Sequence, residues 1–201
     1  MFENSENRKD AFHHALDSLT ENECAFASFD FFDVAEMTAL IAQTDSLTFR
    51  SATKVVGNNV HQDMDVCFPA PRIGVFDKCA SLLEHHIKSW SGFDQHILPD
   101  FHLNDFAAQR YPAGSQGIGI HKDGLRYKNL VIIITLQGQS RLFYTDKREG
   151  GERIKIDDSP GRIVLLKATG FGGSQDDIRA LHGVDMIETG RLSLGFRFEP
   201  S

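Results

Sequence analysis

Apolar side chains recur at helical spacing in residues 8–20, where Phe12, Ala15, Leu16 and Leu19 fall on one face. That spacing predicts an amphipathic helix. Cys24 to Phe29 alternate weakly and predict a strand. Asp33 with Glu36 three positions on has the chemistry of a capping box, so a second helix is expected through about Ala42. Residues 45–70 are polar without a clear period and read as loops and short strands. Pro71 opens another helical stretch, with Val75, Cys79, Leu82, Leu83, His86 and Trp90 at 3.6-residue spacing.

After Gly92 helical periodicity stops. Short β-rich runs follow at Asp105–Tyr111, Gln116–His121, Leu130–Thr135, Ser140–Thr145, Glu152–Ile156, Arg162–Lys167 and Arg191–Phe198. Gly, Asp and Pro clusters separate them, the spacing of an antiparallel sandwich or barrel. The unbroken apolar run at residues 131–134 implies a strand covered on both faces. The pattern therefore predicts an α+β, mostly β fold in one domain over 1–201. Residues 1–99 would supply helical support and substrate-side elements, and residues 100–201 the β-barrel core.

A chain of 201 residues with 41% apolar and 24% charged side chains has ordinary globular composition. The longest apolar stretch, Leu130–Thr135, is far short of the roughly 18 residues of a membrane span. The first residues are polar and acidic, so the expectation is a cytoplasmic protein without membrane association. The net charge is −7, and it is uneven: 7 basic against 16 acidic side chains in residues 1–100, and 14 against 12 in residues 101–201. No basic stripe exists, which disfavours nucleic acid as a partner. Cys24, Cys67 and Cys79 are isolated, odd in number and without zinc spacing, and read as buried or semi-buried free thiols.

The second half also carries chemistry. His121 and Asp123 flank Lys122 after an apolar run, and on a strand positions i and i+2 point the same way. His182 follows 61 residues later, and Arg191-Leu192-Ser193 nine residues after that. Two histidines and one aspartate form the facial triad of non-haem Fe(II) oxygenases, leaving coordination positions open. Arg191 offers a guanidinium fork matched to a carboxylate, with the Ser193 hydroxyl at the same strand parity. Arg197 continues that parity, while Leu192, Leu194, Phe196 and Phe198 occupy the other face.

The order HxD, distant His, RxS resembles the 2-oxoglutarate/Fe(II)-dependent dioxygenases. Residues 109–198 are similar to their AlkB-like branch: Gln109-Arg110-Tyr111-Pro112-Ala113-Gly114 precedes His121-Lys122-Asp123, and Arg191-Leu192-Ser193-Leu194-Gly195-Phe196-Arg197 resembles that branch's closing strand. The nine-residue gap from His182 to Arg191 is nearer to the prolyl-hydroxylase-like members. The resemblance implies a double-stranded β-helix, or jelly roll, with N-terminal supporting helices. It implies Fe(II) on His121, Asp123 and His182, with 2-oxoglutarate and O₂ as co-substrates and ascorbate as the reductant in vitro. It assigns Arg191, Ser193 and Tyr111 to 2-oxoglutarate, with Arg197 near the metal-chelating end. The carboxylate of Asp123 favours hydroxylation or demethylation over halogenation.

A second HxD, His61-Gln62-Asp63, lies in a stretch with little β pattern and lacks a following arginine, so it reads as a polar loop. His13, His14, His85, His86, His96 and His102 read as surface or boundary histidines. Gly170 to Asp177 reads as a mobile loop beside the metal, more a connection than a gate. The leading expectation is a dioxygenase hydroxylating a C–H bond of a small-molecule or amino-acid-like substrate, releasing succinate and CO₂. The alternatives are AlkB-like demethylation of alkylated nucleic acid and a non-catalytic jelly-roll binding or sensor protein. Oligomeric state is not encoded in any of these patterns.

Overall fold

The structure is a computed structural model that describes residues 2, 5–21, 24–57, 59–149 and 151–200. In chain order the elements are α1 (Glu6–Glu21), β1 (Phe26–Asp30), α2 (Val34–Thr44), β2 (Arg50–Ser51), β3 (Val55–Val56), β4 (Val60–Asp63), β5 (Asp65–Cys67), α3 (Gly74–Ser89) and α4 (Phe93–His96). They continue with β6 (Asp105–Tyr111), β7 (Gly117–His121), β8 (Leu130–Gly138), β9 (Arg141–Tyr144), β10 (Ile154–Ile156), β11 (Arg162–Lys167), β12 (His182–Asp185) and β13 (Arg191–Arg197).

The helices form where the pattern predicts them. α1 buries Phe12, Ala15, Leu16 and Leu19. α2 begins with the expected capping box: the Asp33 side chain accepts from Glu36 N, and Glu36 reaches back to Asp33 N. α3 starts three residues after Pro71, and its buried face is rotated from the expected one. It buries Phe76, Cys79, Ala80, Leu83, His86 and Ile87, leaving Val75 and Leu82 half-covered. Phe76 packs on Phe106 at 5.0 Å, and that large ring sets the phase. His86 is fully buried rather than at the surface; it stacks on Phe12 at 5.4 Å, and neither ring nitrogen has a hydrogen-bond partner.

All strand pairs within the two sheets are antiparallel. The larger sheet runs β1-β11-β8-β13-β6-β5-β2 and the smaller β10-β9-β12-β7-β4-β3. The first hundred residues thus give strands as well as helices, with β1 pairing β11, β4 pairing β7 and β5 pairing β6. The β8 run is covered on both faces, as its composition requires. Leu130, Ile132, Ile134 and Leu136 join α1, α2 and α3 in one core, while Val131 faces Ile118, Leu142 and Val184 of the smaller sheet in the other. Each such side chain contributes about 1.5–3 kcal/mol by leaving water. Phe106 and Phe196, opposite each other on β6 and β13, stack at 4.4 Å and tie the larger sheet to the helical layer. The interior between the sheets is left to the other face of β13, which carries Arg191, Ser193 and Arg197.

Candidate metal centre

His121 ends β7 and His182 begins β12, and the two lie directly opposite in the ladder. From that pair to Val184↔Ile118 the register slips by one residue. The slip lets Ile118 enter the inter-sheet core while His121, three positions on, also faces inward. Gly117 permits the close approach that follows: it has φ +77°, and a Cβ there would lie 1.9 Å from Val184 O. Asp123 stands two residues past the end of β7, so strand parity alone does not aim it. Arg197 does, donating from Nε to Asp123 Oδ1 at 2.8 Å.

The three side chains converge. Ligand atoms from His121, Asp123 and His182 lie within 4.8 Å of one another. The imidazole centroids are 4.3 Å apart, and His182 Nε2 is 3.5 Å from Asp123 Oδ2. His121 Nδ1 lies 2.9 Å from Gly119 O, and His182 Nδ1 3.1 Å from Ala180 O. A carbonyl only accepts, so each Nδ1 bears the proton and each Nε2 lone pair is free for a metal. Burial and then the neighbouring His182 push His121 down to about 4, so it is neutral at physiological pH. Burial opposes ionisation of Asp123, but Arg197 and the two imidazoles hold its carboxyl below the usual carboxylate range. The donor set and its protonation fit a divalent ion of the Fe(II) type.

His121 and Asp123, with Arg197, line a cavity of about 410 Å³. Met64, Val66, Phe68 and Ile118 form apolar wall, and Arg50, Lys122 and Arg126 bring cations to it. The segment before His182 is pinned: Lys122 Nζ meets Asp177 Oδ2 at 3.1 Å, and Arg179 donates to Asp177 Oδ1 at 2.7 Å and to Asp123 O at 2.6 Å.

The other expected residues are on the same inner face. Arg191 pairs in register with Tyr111 and Ser193 with Gln109. All of Arg191, Ser193 and Tyr111 are buried, and Arg191 Nε and Ser193 Oγ have no hydrogen-bond partner. Burial raises the Tyr111 phenol to about 12 despite the two nearby arginines. Arg191 is not open, however. Its Nη1 donates to Asp158 Oδ2 and, at 2.9 Å, to Ser140 Oγ. Arg197 grips the metal-side aspartate rather than an open position. Asp158 went unnoticed in the sequence, because Asp157-Asp158-Ser159-Pro160-Gly161 reads as an ordinary polar turn.

The second HxD is not a loop: His61 and Asp63 lie on β4, paired to β7. Asp63 Oδ2 accepts from Gln116 N at 2.8 Å, a structural use. Among the described residues, His121, Asp123 and His182 are the group able to hold a metal. No helix among them is long and apolar enough to cross a membrane.

No protein-family model and no curated protein matches the chain. Solved structures do. A prolyl hydroxylase from Trichoplax adhaerens, in complex with a hypoxia inducible factor oxygen degradation domain peptide fragment, superposes with a TM-score of 0.63 at 14% identity, covering 96% of this chain and 91% of that one. A Pseudomonas putida prolyl-4-hydroxylase gives 0.60 at 18% identity over 94% and 100%. An oxidoreductase of the 2OG-Fe(II) oxygenase family from Burkholderia pseudomallei gives 0.63 at 14% over 94% and 89%. The chain has the fold of the 2-oxoglutarate/Fe(II) oxygenases.

Proposed function

We propose that the protein is an Fe(II)- and 2-oxoglutarate-dependent dioxygenase built on a double-stranded β-helix, hydroxylating a C–H bond of a small-molecule or amino-acid-like substrate. The observation that carries this reading is the convergence of His121, Asp123 and His182, with both Nε2 atoms free, beside an apolar-walled cavity that His121 and Asp123 line. Bound Fe(II), with 2-oxoglutarate and O₂, supplies the oxidising power and yields succinate and CO₂. The chain does the rest. The Gly119 and Ala180 carbonyls fix the imidazole tautomers, and Arg197 keeps Asp123 ionised and oriented. Arg191, Ser193 and Tyr111 are the seat for the distal carboxylate of 2-oxoglutarate. Two of them hold buried polar atoms that lack partners, which suits a polar ligand. Met64, Val66, Phe68 and Ile118 keep water from the reacting carbon.

A cavity of this volume takes a metabolite-sized group. At its wall Lys122 and Arg126 are paired with Asp177 and Glu199, whereas Arg50 makes no ion pair among the described residues. Arg50 is thus placed to meet a substrate carboxylate, as an amino-acid-like molecule would present. The test is succinate release over pooled metabolites with Fe(II), ascorbate and 2-oxoglutarate, beside an Asp123→Ala control. Release that depends on Asp123 and on a metabolite supports the reading. Failure of wild type to bind Fe(II) and 2-oxoglutarate anaerobically overturns it. A salt-sensitive gel shift with single-stranded DNA would move the substrate to alkylated nucleic acid. Metal and 2-oxoglutarate binding without any succinate would favour a sensor.

A further inference from the structure

Asp158 is the inward-turned member of a polar turn. Between β10 and β11, Asp157, Ser159 and Pro160 are exposed, whereas Asp158 is 6% exposed. Its carboxylate takes the Arg191 guanidinium and, at 2.9 Å, the Thr135 hydroxyl. An arginine offered to a ligand carboxylate is thus already neutralised by a carboxylate of the chain itself. A second anion on the same guanidinium would meet Asp158 at close range in a low-dielectric interior, where like charges repel strongly. The structure also provides somewhere for Asp158 to go. It lines a separate cavity of about 750 Å³ together with Arg141, Arg153 and Lys155. A turn outward would place the carboxylate among water and cations. The rest of the turn is secured independently by Asp157, whose backbone oxygen accepts from Ser28 and Arg162.

Resting on the oxygenase reading above, we propose that Asp158 is an internal occupant of the co-substrate seat, so that a dicarboxylate 2-oxo acid binds Arg191 by exchange with Asp158. Affinity for the co-substrate is then set by the fraction of molecules in which Asp158 has left. Asp158 becomes a specificity residue for the distal carboxylate and is silent toward a 2-oxo acid that lacks one.

Asp158→Asn keeps the side chain's size and removes its charge. With Mn(II) and no oxygen, calorimetric titration of this variant with 2-oxoglutarate should give a Kd lower than wild type by about tenfold or more. Titration with 2-oxobutyrate, which has no distal carboxylate, should give equal Kd values for the two proteins. Thr135→Val, which removes Asp158's other donor, should tighten 2-oxoglutarate in the same direction by less, and it decides the matter where Asp158→Asn does not fold. Unchanged or weaker 2-oxoglutarate binding in the folded variants overturns the proposal and makes Asp158 a positioning residue for Arg191. Equal tightening of both 2-oxo acids also overturns it. Absence of binding by wild type and variants alike overturns the oxygenase reading itself.

Discussion

Two arginines leave the same face of β13, six residues apart, and each meets an aspartate. At the metal end Arg197 holds Asp123 at 2.8 Å, and at the other end Arg191 holds Asp158. The two pairs look alike, and on the proposed reading they perform opposite tasks. Arg197 secures a carboxylate that belongs to the candidate ligand set, keeping it ionised beside two imidazoles. Arg191 belongs to the expected co-substrate seat, and its carboxylate comes from a turn between β10 and β11. On that reading the first pair completes a site and the second fills one. A buried ion pair is thus not evidence of a single role: which partner is to be exchanged depends on what else surrounds it.

The largest expected effect separates the pairs by stability. Arg191→Ala leaves Asp158 without its cation, and breaking a buried pair costs about 3–5 kcal/mol. The adjoining cavity lets Asp158 rehydrate, so chemical denaturation should place the loss near the lower end. Adding Asp158→Ala should recover part of it. A loss below about 1 kcal/mol for Arg191→Ala would mean that the pair is not closed in solution.

The metal end should respond in affinity. His182→Ala removes one of three ligands, so Mn(II) binding should weaken by about a hundredfold or more. His61→Ala, at the other HxD, should leave Mn(II) affinity unchanged. A reversal of that order would dismantle the comparison.

Acid unfolding needs separating from both ends, and His86 is the group to remove. Burial, and then the neighbouring His85 and His13, push it down to about 4, below the roughly 6.5 of a free imidazole. The unfolded chain therefore holds the proton more tightly. Stability is fully present above about pH 6.5 and falls as pH drops toward 4, by about 2–3 kcal/mol. His86→Phe should make that limb shallower in denaturation curves taken from pH 7 to 4, leaving the part that His121 contributes over the same range. A limb as steep as wild type would assign it elsewhere.

The smallest effect sharpens the role of Arg197. Arg197→Leu should cost about ten- to a hundredfold in Mn(II) affinity, as loss of a ligand's supporting hydrogen bond does. It should not tighten 2-oxoglutarate as Asp158→Asn is expected to. Tightening by both variants would make the two arginine pairs equivalent.

Much of this was legible along the chain. Strand and helix positions followed from periodicity because burial on a strand repeats every second residue and on a helix every 3.6. Asp33 with Glu36, Asp105–Tyr111 and Arg162–Lys167 appear in the fold as the pattern has them. The short strands in residues 45–70 were not separable, because two- and three-residue segments carry no period. β12 was missed for a related reason. Only four residues long and led by His182, it has too few apolar positions to alternate.

Local sequence by itself determined which residues could do chemistry: His121, Asp123, His182 and the alternating face of β13 follow from residue type and spacing. Only the tertiary structure decided what each of them meets. The one-residue slip between β7 and β12 turns both Ile118 and His121 inward, against simple parity. Asp123 is aimed by Arg197, 74 residues away, and Arg191 is met by Asp158, 33 residues away. Spacing along a chain encodes direction within one strand. Charge pairing between two packed sheets is set by which turns and strands the fold brings together, and no local period records that.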